Sequence, residues 1–263
     1  PKDRRFWERI DRVPTIELWE AHQRQKLELA IFARGRLRSQ FARHGEAPST
    51  LEELEDVLDP RILTIGFARR FATYKRASLV FSDLDRLARL LWDAERPVQI
   101  IFAGKAHPAD RPGQGVIQDI FGRSRSPKLR GRVFILEDYD IRIARFLVQG
   151  VDVWLNNPRR PLEASGTSGM KAAANGVLNV SVLDGWWDEG FQGDNGWAIG
   201  GRETNPDEGA QDCIYKSNLA RLLPVVEREL RQAALRRGGR VATQAVRRVE
   251  SALRQSEERF LQL

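Results

Sequence analysis

The feature that most constrains the fold is an alternation running through the middle of the chain. Short apolar, β-branched runs at Ile62–Phe67, Val98–Ala103, Val133–Leu136, Val151–Leu155 and Leu178–Val182 are separated by longer amphipathic stretches. The spacing predicts helices from about Lys75 to Glu95, over Val116–Phe121, over Ile141–Gly150, and from Ala172 onward. In the first of these Leu79, Phe81, Leu84, Leu87, Leu90 and Leu91 form the inner side. Fully apolar strands that alternate with helices predict an α/β fold: a parallel sheet with helices on both faces. Ligands of such sheets bind beyond the carboxyl ends of the strands. The loops after Phe67, Ala103, Leu136 and Leu155 should therefore share one edge. That brings Arg69, Arg70, Lys75, Lys105, Tyr139 and the loop from Glu163 to Lys171 together.

The flanks read differently. Residues 1–58 form a helical lead-in expected to pack on the same domain. Within it Leu18, Trp19, Leu27 and Ile31 recur at roughly helical spacing, and Thr15 follows Pro14 as an N-cap. His44–Thr50 is a loop, and Ser49 or Thr50 caps a short helix over Leu51–Leu58. Residues 59–210 are the α/β core. Residues 211–263 form a helical, arginine-rich tail. The chain begins at Pro1 and its one methionine is Met170, which suggests a piece of a longer protein. The single Cys213 excludes an internal disulfide and fits a reducing compartment. No apolar run approaches the ~20 residues of a membrane helix, so a cytoplasmic protein without a membrane partner is expected. The net charge is +7, but no RNA-binding aromatic signature and no zinc-ligand spacing accompanies it. A solvated basic surface is expected, with no nucleic-acid partner and no metal.

Two segments carry chemistry. Glu163-Ala-Ser-Gly-Thr-Ser-Gly-Met-Lys171 is rich in small residues whose backbone N–H groups can approach an anion, and it runs into a helix whose amino end favours one. A lysine at that junction suits a cofactor held both covalently and through a phosphate. A Gly-rich helix cap with Lys171 in solvent fits the spacing equally well. Phe67-Ala-Arg69-Arg70-Phe-Ala-Thr-Tyr74-Lys75-Arg76 places four cations directly after a buried strand. Arginine grips phosphate oxygens through two N–H groups and lysine adds a compact charge.

These segments, with Phe102-Ala-Gly-Lys105-Ala106 and Glu137-Asp-Tyr139, in this order and spacing, resemble the α-glucan (glycogen, starch, maltodextrin) phosphorylases, and more closely their divergent prokaryotic branch. The resemblance covers about residues 1–210. It implies the Rossmann-like C-terminal domain of a two-domain GT-B glycosyltransferase fold, with the amino-terminal GT-B domain absent from this chain. It also implies pyridoxal 5'-phosphate, carried on Lys171. Arg69 and the backbone of Thr167 and Ser168 match the groups that hold the cofactor phosphate. Tyr139 matches a tyrosine near the cofactor. Arg70 and Lys75 match the pair that grips the substrate phosphate, which with Lys171 makes up the catalytic set. Glu163, Ser165 and Gly166 match groups that hydrogen-bond the glucose hydroxyls.

The activity so implied is phosphorolysis of terminal α-1,4 bonds of a glucan by inorganic phosphate, giving glucose-1-phosphate. The isolated chain is expected to be inactive. Homo-oligomerisation and allosteric control are left open. Asp140 stands where the animal enzymes carry arginine, and Arg69–Lys75 lacks their intervening histidine and glutamate. Two other readings are a nucleotide-sugar-dependent glucan synthase of the same fold, which would lack a lysine at position 171, and a non-catalytic glucan-binding fragment. Elsewhere His22 and His44 read as surface or loop residues. His107 and Lys105 stand near the ligand edge. Trp186 and Trp187 read as core or interface aromatics, and Asp184 with Asp188 does not read as an acid–base pair.

Overall fold

The computed structural model describes residues 12–202. The predicted tail at 211–263 and Cys213 lie outside them, as does the start of the lead-in. Six parallel strands form one sheet: β1 (Leu63–Ala68), β2 (Val98–Ala103), β3 (Val133–Leu136), β4 (Val153–Asn156), β5 (Leu178–Val182) and β6 (Gly196–Ile199). Their spatial order is β3-β2-β1-β4-β5-β6. The chain winds outward from β1 in one direction, then returns to the centre and winds outward in the other. A crevice therefore opens between the carboxyl ends of β1 and β4.

Alternate strand residues feed two cores. Ala68, Ile101, Ala103, Phe134, Leu136 and Trp154 pack beneath α1 (Thr15–Arg43) and α5 (Ile141–Gly150). Phe67, Ile100, Phe102, Val133 and Ile135 pack with Phe71, Phe81, Leu87, Leu91 and Ile120 on the other face. Phe71 lies in the loop after β1, and the other four come from a 3-10 turn (Ala77–Phe81), α3 (Leu84–Leu91) and α4 (Arg111–Ser124). The remaining helices among the described residues are α2 (Pro48–Glu53), α6 (Thr167–Ala174) and α7 (Trp186–Gly190). The fold class read from the alternation is the one observed.

Local expectations shift in instructive ways. The helix expected from Lys75 to Glu95 is broken. Two 3-10 turns, Thr73–Lys75 and Ala77–Phe81, flank Arg76, whose φ of 50° is left-handed. The α-helix begins only at Leu84, where Asp83 accepts the Arg86 N–H. Val116–Phe121 is the middle of a longer helix, capped by Asp110 at the Gly113 N–H. Thr15 is the first helical residue rather than the cap, and α2 starts at Pro48 without a side-chain cap. In α1 the buried stripe is Lys26, Leu29, Ala30, Ala33, Leu37 and Gln40, while Leu18, Leu27 and Ile31 are exposed.

The two polar members of that stripe each have a partner on the sheet. The Gln40 carboxamide donates to Ile135 O and accepts from Glu137 N, both at 3.1 Å, so it occupies the free edge of β3 as a neighbouring strand would. Lys26 donates to Asp152, just before β4, which also binds His22 Nε2 at 2.9 Å and accepts the Thr64 N–H at 2.7 Å. His22 is thus part of a buried tie between α1 and the amino edge of β1 and β4, not a surface residue. Burial alone would raise the Asp152 pKa, but Lys26 and His22 together hold it below the ordinary carboxylate range.

Candidate functional site

At the β1–β4 crevice the two chemistry-bearing segments are laced together. The Arg159 N–H donates to Tyr74 O at 2.7 Å. Arg76 donates from Nε to Asn157 O at 3.0 Å and from Nη2 to Pro158 O at 2.9 Å, while Asn157 Nδ2 returns a bond to Arg76 O at 3.1 Å. These bonds hold Arg76 in its left-handed conformation. They also bring the loop after β1 against the loop after β4.

Glu163 sits inside this junction. Its Oε2 accepts from Arg69 Nη2 at 2.9 Å and from Lys75 Nζ. The three residues are only 8%, 8% and 6% exposed for Glu163, Arg69 and Lys75 respectively. Arg69 retains two buried N–H groups, Nε and Nη1, that have no partner. Burial pushes its guanidinium below the ordinary arginine value, and Glu163 opposes that shift. Buried donors without acceptors are costly in a folded chain and mark a place where an anion would be stabilised. Lys75 Nζ lies 4.6 Å from the centre of the Tyr74 ring.

The Glu163 backbone is fixed from the β5 side. Its N–H donates to Asp184 Oδ2 at 2.8 Å, the other Asp184 oxygen accepts from Gly185 N, and Trp186 N donates to Ser165 O at 2.8 Å. Asp184, weighed above only as an acid or base, is therefore a support for Glu163. Its position directly after an apolar strand was the available sequence signal. Asp188 is held below the usual carboxylate range by Arg202 and Arg160.

Helix α6 begins at Thr167, five residues before the start expected from the alanines. Gly166 precedes it with φ 76°, a left-handed turn that a side chain would strain. No side chain caps this end. The first-turn amides of Thr167 and Ser168 are thus donors without an intrahelical acceptor. The Trp186 ring lies over Gly166 and Gly169, and Asn179 Nδ2 donates to Gly169 O at 3.2 Å, tying the helix to β5. Lys171 is exposed on this helix, and its amine has no partner among the described residues.

The structure therefore joins Arg69, Lys75 and Glu163 directly, with Ser165, Gly166, Thr167, Ser168 and Lys171 following in the same loop and helix. Arg70 and Lys105 are exposed. Phe71 N bonds Lys105 O at 2.9 Å, which joins the loops after β1 and β2. Tyr139 is half-buried against the α1–α5 core, and burial, then Asp140, raises its pKa. His107 is exposed and caps the Ala109 N–H. A cavity of about 460 Å³ lies apart from these residues, beside β3, among Leu37, Phe41, Leu54, Phe121 and Phe134.

The donor set fits a phosphorylated aldehyde cofactor. Two unpaired guanidinium N–H groups and the free amides of a helix start suit its phosphate, and an exposed amine on that helix suits its aldehyde.

The family model for carbohydrate phosphorylases matches residues 52–189. The chain is 51% identical to a glycogen phosphorylase of Aquifex aeolicus over 79% of its length and 30% of the relative's. It is 50% identical to a maltodextrin phosphorylase of Thermococcus litoralis over 83% of its length and 26% of the relative's. For a glycogen phosphorylase of Mycobacterium tuberculosis the figures are 45%, 82% and 25%. The chain thus spans less than a third of the length of these relatives. A buried cation–carboxylate cluster at the switch point, a lysine-bearing helix beside it and a family match across both place this chain in the carbohydrate phosphorylase family, on its prokaryotic branch.

Proposed function

We propose that these residues form the Rossmann-like, cofactor- and phosphate-binding domain (59–210, with lead-in 1–58 and tail 211–263) of a pyridoxal-phosphate-dependent α-glucan phosphorylase. The observation that carries the reading is the link through Glu163: the loop leading to Lys171 is ion-paired to Arg69 and Lys75. The relatives are named for glycogen and maltodextrin, and the substrates in this reading are a terminal α-1,4-linked glucan and inorganic phosphate. The whole reaction belongs to the complete protein, because the matched part is 25 to 30% of the relatives' length.

In this reading Lys171 holds pyridoxal phosphate, and Arg69 with the Thr167 and Ser168 amides binds its phosphate; Tyr139 lies near it. Bound there, the cofactor supplies a phosphate group able to exchange a proton with the substrate phosphate. Arg70 and Lys75 grip the substrate phosphate and neutralise its charge. That phosphate gives a proton to the departing glycosidic oxygen as the C1–O4 bond breaks, and its oxygen then bonds C1. The oxocarbenium-like centre that hydrolases stabilise with two carboxylates is here stabilised by an anion the arginine and lysine hold in place. Glu163, Ser165 and Gly166 orient the glucose through its hydroxyls.

The test is spectroscopic. The chain is incubated with pyridoxal phosphate, freed of excess, and scanned. A retained near-ultraviolet or visible band in the parent, absent in Lys171→Ala, is expected. No retained band, or an equal one in the variant, overturns the proposal. A thermal shift with a nucleotide sugar instead of the band would favour the synthase reading.

A further inference from the structure

Glu163 holds a position that its assignment to glucose hydroxyls does not account for. The same carboxylate oxygen accepts from Arg69 and from Lys75, one cation assigned to each of the two phosphates. All three side chains are more than nine-tenths buried. A carboxylate held this way has Oε2 committed to the two cations and only Oε1 left for a sugar. A phosphate anion set on the same two cations would face a buried like charge at contact distance, which disfavours having both there. The two unpaired N–H groups of Arg69 are extra donors for an incoming anion. The Glu163 main chain is held independently, by Asp184 at its N–H. The loop therefore keeps an anchor that does not depend on the two cations.

We infer that Glu163 is an internal stand-in anion. Phosphate displaces its carboxylate from Arg69 and Lys75, and only the released carboxylate offers both of its oxygens to glucose hydroxyls. The exchange is a ligand swap in which no covalent bond changes. Its consequence is that an anion and a sugar strengthen each other's binding, because each favours the same released position of Glu163. The inference rests on the assignment of Glu163 to the sugar, and it does not require a covalent cofactor.

Inorganic phosphate is titrated calorimetrically into the full chain and into Glu163→Gln, each with and without saturating glucose. The variant should bind phosphate roughly tenfold or more tightly than the parent, since the competing charge is gone. Glucose should tighten phosphate binding severalfold in the parent and not in the variant. Equal or weaker phosphate binding by Glu163→Gln, no phosphate binding by either protein, or coupling that persists in the variant overturns the inference. If Glu163→Gln does not fold, the parent decides: phosphate and glucose that bind without coupling overturn it. The outcome is separable from that of the Lys171 test. A retained cofactor band with no tightening sinks this inference alone, and tightening without a band sinks the cofactor reading alone.

Discussion

Gly169 offers a quantitative test of how the lysine helix is seated. Replacing a helical glycine with alanine ordinarily stabilises by about 1 kcal/mol through backbone entropy. Here the new Cβ would stand 2.7 Å from Asn179 Oδ1 and 2.9 Å from Trp186 Nε1. Both separations are below those real methyl contacts adopt, so one neighbour must move or the helix must lift. Overpacking of this kind costs about 1–3 kcal/mol. If Asn179 yields, its 3.2 Å bond to Gly169 O is lost and a carboxamide only 1% exposed is left unpaired, about 1–3 kcal/mol more. In that case the net for Gly169→Ala is a loss of roughly 1–5 kcal/mol, opposite in sign to the propensity gain.

Urea unfolding followed by circular dichroism measures that loss. Because the shift is local to α6, retention of pyridoxal phosphate should fall as well. Adding Asn179→Ala makes room for the methyl group, so the double variant should lose less than the sum of the two single changes. A Gly169→Ala chain as stable as the parent, or additive costs, would refute the argument that this helix is seated by close approach to β5.

Two further expectations concern other parts of the frame. Asp152→Asn leaves Lys26 buried beside a neutral group and should cost about 3–5 kcal/mol, largely recovered by adding Lys26→Met. Because its folded pKa is depressed, Asp152 contributes stability that is full above its unfolded value of 3.8 and fades as pH falls through the lower folded value; acid titration of stability should be flatter in Asp152→Asn, and parallel curves would contradict the tie. Gly104→Ala would put a Cβ 2.0 Å from Arg69 O at a φ of 153°. It should therefore cost more than about 3 kcal/mol and weaken phosphate binding, and near-parental urea unfolding would show that Arg69 is not braced there.

The layer architecture was legible because the central strands are buried on both faces and so read as largely apolar runs. Strand β6 was not. Its four residues are only partly buried apart from Ile199, and they follow a polar Gln-Gly-Asp-Asn stretch. The inner face of α1 was obscured because its ends are polar. Lys26 and Gln40 are buried to satisfy Asp152 and the β3 edge, contacts that exist only once the sheet is assembled. Arg76 broke the expected helix for a similar reason: its left-handed backbone is held by Asn157 and Pro158, about 80 residues away. The placement of Arg69 and Lys75 beyond the carboxyl end of β1 could be read from strand ends alone. That Glu163 closes on Arg69 and Lys75 could not, since it depends on β4, rather than β3, lying beside β1.

That adjacency also explains why charge gathers where it does. β1 and β2 pair over six residues, from Leu63↔Val98 to Ala68↔Ala103, whereas β1 and β4 pair only at Ile65↔Val153 and Gly66↔Trp154. The centre of the sheet is thus its shortest ladder, and it is supplemented at both ends by a carboxylate between basic groups. Asp152 closes the amino end with Lys26 and His22, and Glu163 closes the carboxyl end with Arg69 and Lys75. The two closures differ in what they face. Asp152 has Thr64 N–H as a third, main-chain partner and lies under α1, so nothing competes for it. The Glu163 carboxylate has only side-chain partners, one of which retains unpaired donors. A short ladder lets the strands splay at the crevice, and the ionic contact that spans the opening is the one an incoming anion can replace. On the proposed reading, the topology that opens a crevice at the switch point also leaves its closure exchangeable, while the opposite end stays fixed.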